Sequence, residues 1–162
     1  MKKLLYLGLV AAFVLLEPTF LNYFRVFLVK PNLSLTAVFM ACIFFTPAWA
    51  LAFAVFAGLL RDSLGISAYG VNTVLFPLWA FLVLKLFKKI SAENSIVRIA
   101  VLSIVLVLNS IIMRALIQYW GGAVRPWIFI KVTALEILYT VLVFHLLFRF
   151  LHPVFANGSL AD

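Results

Sequence analysis

Charged positions along this chain are rare and widely spaced. Residues 4–16, 31–60, 63–84, 99–113 and 137–144 contain no Asp, Glu, Lys or Arg. A soluble core built from 162 residues cannot hide apolar runs of that length, so lipid must solvate them. The runs predict helices at about 4–24, 33–46, 48–61, 71–88, 96–118 and 127–151. Together they form one polytopic membrane domain over residues 1–162, an all-α membrane protein with six transmembrane helices.

The segment 31–60 admits two readings. It is either one long tilted helix or two short ones broken at Thr46-Pro47. The first half, Leu33–Phe45, would be only about 20 Å long at 1.5 Å per residue. That is short for a hydrocarbon core of about 30 Å. Charge arbitrates, because Lys and Arg favour the cytoplasmic side. With a hairpin at Pro47, six spans put Lys2, Lys3, Lys85, Lys88, Lys89, Arg98 and Arg149 on one side. With only a kink there, five spans would place the two lysine clusters on opposite faces. Six spans with both termini cytoplasmic is therefore the expectation, with helices two and three short or tilted.

Composition agrees with this pattern. The chain is 67% hydrophobic and 11% charged, with a mean hydropathy of +1.21. Its 13 Lys plus Arg exceed its 5 Asp plus Glu, but the cations lie at the ends of apolar runs. There they anchor helix ends at lipid headgroups, and nucleic acid is not an expected partner. Cys42 is the single cysteine, which excludes an intrachain disulfide and reads as a small core residue. Met1-Lys2-Lys3 and the apolar run after it resemble a signal peptide. The run continues into Glu17-Pro18-Thr19 without a small-x-small cleavage site, so an uncleaved first helix targeting the inner membrane is expected.

Polar residues at depth each need a partner or a purpose. Glu17, Asp62 and Glu136 are the acidic candidates. Asp62 could cap the turn that follows it, bind Arg61, or line a partner site. Arg114 and Glu136 lie at similar depths from the same outer loop, so a buried ion pair between them is expected. Asn72 and Asn109 suit helix-to-helix hydrogen bonds, and Gly58 in Ala54-x-x-x-Gly58 suits a close helix crossing. His145 and His152 have no acid or cysteine beside them, which argues against a metal site. No nucleophile–base set and no phosphate loop is present, so neither an enzyme nor a cofactor is expected.

Four stretches, taken in order, resemble the MreD family of rod shape-determining membrane proteins. They are Glu17-Pro18-Thr19 closing the first helix, Pro31-Asn32-Leu33 opening the second, Gly58-Leu59-Leu60-Arg61-Asp62 closing the third, and Gly70-Val71-Asn72 opening the fourth. Position 32 is Asn where that family usually has Asp, and position 17 is Glu where Gln is common. The resemblance implies a fold like the six-helix substrate-binding subunit of energy-coupling-factor transporters. It also implies a place in the bacterial elongation complex, in the cell membrane. MreC would be a direct partner; RodA, a class B penicillin-binding transpeptidase, MreB and membrane lipids would be neighbours. Pro31, Asn32, Gly58, Arg61, Asp62, Gly70 and Asn72 become the candidate partner-binding or structural polar sites. A vitamin-type transport subunit is the competing reading, and an enzyme acting on lipid a third.

Overall fold

The computed structural model describes residues 2–19, 29, 31–64, 70–90, 94–119 and 125–155. Among these residues there are six helices: α1 Lys2–Thr19, α2 Leu33–Phe44, α3 Pro47–Ser63, α4 Val71–Phe87, α5 Ser95–Tyr119 and α6 Pro126–Phe155.

The hairpin at Thr46-Pro47 is a real break. Phe45 and Thr46 are both extended, and Pro47 opens α3 at its first turn. Proline disfavours helical geometry in the residue before it, while its own missing N–H costs nothing at a helix start. Only two residues separate α2 from α3, so the two helices lie antiparallel. Elsewhere, side-chain contacts show the same alternation of direction. Glu17 near the end of α1 meets Ser34 at the start of α2, and Asp62 near the end of α3 meets Asn72 at the start of α4. Trp79 of α4 donates to Asn109 of α5 at 3.2 Å. Arg98 lies over Phe148, and Arg114 over Phe129, which sets α5 against α6 in opposite directions.

α2 is the axis of the bundle. Eleven of its 12 residues are buried, as expected for a helix that is apolar all round. It packs against α1, α3, α4 and α6. At the end of the bundle holding Lys3, Tyr6 is fully buried among Phe45, Phe53 and Phe155, with ring centroids 4.7–5.2 Å away. Its hydroxyl donates to the Ala37 carbonyl of α2 at 2.6 Å, which satisfies the polar tip inside the core. Cys42 is buried against α4, with its sulfur 3.8 Å from the Ala80 carbonyl.

The tightest crossing joins α3 to α4. Ala50, Ala54, Ala57 and Gly58 form a small-residue face on α3, and all four are buried. A Cβ at Gly58 would lie 2.5 Å from the Asn72 carbonyl oxygen and 2.7 Å from the Thr73 Cα. Only glycine lets the two backbones come this close.

The outer flank is apolar. Leu4, Val74, Ile96, Leu138 and Phe150 are all more than two-thirds exposed. Helices α5 and α6 are long and apolar enough to cross a membrane. α2 is much shorter, about 18 Å by its rise, so its start lies well inside the length covered by α6.

One expectation from the sequence changes. The last helix does not stop before His152-Pro153 but continues through Pro153 to Phe155. Phe155 is buried against Tyr6, Phe44 and Phe45, and that packing holds the final turn in place. The first helix is described to Thr19, and its expected continuation over 20–24 lies outside the described residues.

Candidate functional site

The short central helix creates a chemical problem at its start. Its first N–H groups have no partner within the helix, and they open into the interior of the bundle. The chain answers with polar side chains from five helices.

Asn32 is the N-cap of α2. Its Oδ1 accepts from the Leu35 N–H at 3.1 Å, the expected geometry for an asparagine cap. The same Oδ1 accepts from Arg61 Nη1 at 2.9 Å. Its Nδ2 donates to Glu136 Oε1 at 3.4 Å, and its backbone N–H donates to Thr140 Oγ1 at 3.1 Å. Glu136 and Thr140 are four residues apart, hence on one face of α6, and together they grip Asn32.

Glu17 completes the cap. Its Oε2 accepts from both the backbone N–H and the hydroxyl of Ser34. Its Oε1 pairs with Arg61 Nη2 at 2.9 Å, with side chains 12% and 2% exposed for Arg61 and Glu17. The guanidinium also lies 5.6 Å from the centre of the Phe76 ring. Ser110 of α5 donates to Glu136 Oε2 at 3.4 Å. Two carboxylates therefore face one guanidinium and the positive end of α2, which itself favours negative charge.

Asp62 forms a separate brace. Arg61 and Asp62 are about 100° apart around α3, so they point to different neighbours. Asp62 Oδ1 accepts from the Asn72 side chain at 2.8 Å and its backbone N–H at 3.2 Å. Oδ2 accepts from the Thr73 backbone N–H at 2.8 Å and hydroxyl at 2.7 Å. The residue at the N-cap position of α4 is Gly70, which has no side chain to offer. Its φ of +80° is a conformation other residues rarely adopt. Asp62 thus caps α4 from across the helix crossing, and Gly58 one turn earlier permits the approach.

Of the residues singled out from sequence, Asn32 and Arg61 meet in one network, and Gly58, Asp62 and Asn72 meet in the other. Pro31 adjoins the first, with its carbonyl accepting from the Leu33 N–H at 3.1 Å. Gly70 provides the left-handed turn of the second. The expected Arg114–Glu136 pair is not formed. Glu136 is level with Ser110, and Arg114 lies one turn further along α5, about 6 Å away by helical rise. Its guanidinium stacks over Phe129, 4.6 Å from the ring centre. Arg61, from a helix far away in sequence, reaches the Glu136 cluster through Asn32, which it bonds at 2.9 Å.

Sequence reasoning missed Ser34, Ser110 and Thr140, and did not join Glu17 to Arg61. The Glu136–Thr140 spacing was a usable signal, since it put two polar groups on one face of an otherwise apolar helix. Positions 25–28 and 30, between α1 and α2, and 65–69, between α3 and α4, lie outside the described residues. Among the described residues, no group of three or more His, Cys, Asp and Glu gathers as metal ligands would.

A family model described as rod shape-determining protein MreD matches residues 2–154. No curated protein and no solved structure matches the chain.

Proposed function

This chain belongs to the MreD family of rod shape-determining membrane proteins, and from that premise we propose that it is a non-enzymatic scaffold of the bacterial elongation complex. Family membership gives it a part in rod-shape determination. The finer reading is that it binds MreC and helps position the peptidoglycan-synthesis machinery, with RodA, a class B penicillin-binding transpeptidase and MreB in the same assembly.

The observation that carries this reading is the inward use of the polar residues. Glu17, Asn32, Arg61 and Glu136 bond to one another and to the start of α2, and Asp62 bonds to α4. They brace the bundle rather than converge on an open cavity. What the bundle offers outward is an apolar flank of fixed shape, suited to a partner's transmembrane helix. We assign the partner contact to the α3–α4 edge, whose geometry Asp62 and Gly58 maintain.

A vitamin-type transport subunit would need several polar side chains converging on a cavity. A shallow, open depression of about 320 Å³ between α4 and α5 is lined by Gly70 and apolar side chains such as Val74, Leu75 and Leu116, which favours no polar ligand. The likeness to the substrate-binding subunit of energy-coupling-factor transporters stays part of the proposal, supported by helix number and order. So does placement in the inner membrane with both termini cytoplasmic. Its support is the alternation of helix direction, which gathers Lys2, Lys3, Lys85, Lys88, Lys89, Arg98 and Arg149 at one end of the bundle.

The test is recovery of partners with the tagged chain from native membranes in mild detergent. MreC should be retained, and Asp62→Ala should weaken retention while the protein still inserts. Recovery of ATPase subunits without MreC would refute the scaffold reading and favour the transport one.

A further inference from the structure

Helices α4 and α5 pack only sparsely against each other. On their outer side, toward the lysine-rich end, they leave a groove of about 230 Å³. Trp79, Leu82 and Leu86 of α4 and Val101, Val105 and Leu108 of α5 form its walls. These walls are apolar, and Leu82 and Leu108 are each partly exposed to the surroundings. The indole N–H of Trp79 is turned away to Asn109, so it presents no polar group to the groove.

One end of this groove is charged. Lys85 and Lys89 line it, four residues apart and hence on one face as α4 closes. Lys88 adjoins them in sequence. Neither Lys85 nor Lys89 has an ion pair among the described residues. From Trp79 to Lys89 the groove follows about 15 Å of helix. An apolar channel of this length ending in two ammonium groups matches a molecule with an acyl chain and an anionic head.

We propose that this groove is a binding site for an anionic phospholipid. One acyl chain lies between α4 and α5, and the phosphate sits between Lys85 and Lys89. The site lies at the same end as Lys3 and Arg149, where anionic headgroups are expected if that end is cytoplasmic. A soluble phosphate could use the lysines but would leave the apolar walls empty, and an uncharged lipid could use the walls but would leave the lysines unpaired. A bound lipid would also fill a seam where the bundle has few contacts of its own.

The experiment uses the full chain, exchanged into detergent and examined by native mass spectrometry with phosphatidylglycerol or phosphatidylcholine of identical chains. Phosphatidylglycerol should be retained preferentially, and Lys85→Gln with Lys89→Gln should weaken it by about fivefold per lysine, or about 25-fold together. Ile104→Trp, a change at the exposed rim of the groove, should lower retention of both lipids. Lys131→Gln, toward the opposite end of the bundle, should change nothing, and each variant should stay monodisperse. Equal retention of the two lipids, or loss that is no greater for the Lys85/Lys89 variant than for Lys131→Gln, would overturn the site. Displacement of the lipid by inorganic phosphate alone would overturn the role of the apolar groove.

Discussion

Replacing Gly58 by alanine should do more damage than one methyl group suggests. The new Cβ would sit 2.5 Å from the Asn72 carbonyl oxygen, against an ordinary contact of 3.4 Å or more. The start of α4 must then retreat by about 0.9 Å. The obstructing atoms are backbone, so no rotamer change can relieve the clash. Overpacking of this kind costs about 1–3 kcal/mol. The same retreat stretches the four bonds that Asp62 makes to Asn72 and Thr73, now 2.7–3.2 Å. A bond of 2.8 Å lengthened by that amount leaves the hydrogen-bonding range. Weakening such a charged cap adds about 1 kcal/mol, for a total near 2–4 kcal/mol. Because Gly58→Ala already weakens the cap that Asp62→Ala removes, the losses of the two variants should not add. In a cycle of Gly58→Ala and Asp62→Ala, the double variant should be less destabilised than the sum of the singles, by at least about 0.5 kcal/mol. Reversible unfolding in mixed micelles by added SDS would measure all four proteins. A Gly58→Ala variant within about 0.5 kcal/mol of the parent would refute the close-approach reasoning. Full additivity would refute its link to Asp62.

The remaining predictions concern the buried groups. Glu17→Ala removes the carboxylate paired with Arg61 and should cost about 3–5 kcal/mol; Glu17→Gln keeps one acceptor oxygen, enough for Ser34 but not for Arg61 as well, and should still cost more than about 1 kcal/mol, so a Glu17→Gln variant as stable as the parent in the same unfolding assay would contradict the ion-pair account. Asn32→Asp preserves the cap and the Arg61 contact but turns the donor to Glu136 into a third acid. It should be destabilising alone and substantially rescued by Glu136→Gln, which supplies a donor; absence of rescue would show that the Asn32–Glu136 contact is not what matters. Tyr6→Phe removes one buried hydroxyl bond and should cost about 0.5–1.5 kcal/mol without altering membrane insertion, and a larger loss would mean that the ring packing had also changed.

The number of helices and their order were legible in the sequence because lipid leaves few alternatives. Uninterrupted apolar runs must become helices there, since every backbone polar group has to be satisfied within its own segment. The Thr46-Pro47 break was readable for a local reason, the constraint proline places on the residue before it. The small face ending in Gly58 was equally local, as was the cap-forming character of Asn32. Pairing was another matter. The sequence put Arg114 with Glu136 because both sit at similar depths on consecutive helices. The fold instead pairs Arg61 with Glu17 and gives Glu136 to Asn32 and Ser110.

That outcome depends on where the shortest helix starts. With 12 residues, α2 begins deep in the bundle, and its unpaired N–H groups draw in acceptors from α1 and α6, with Arg61 of α3 balancing the Glu17 charge. Apolar periodicity says that a helix is buried but not at what height its end lies against its neighbours. Composition and order of charge thus determined that this chain is a bundle of helices in lipid. The offset between one short helix and the longer ones around it, a property of the packed structure, decided which polar groups meet.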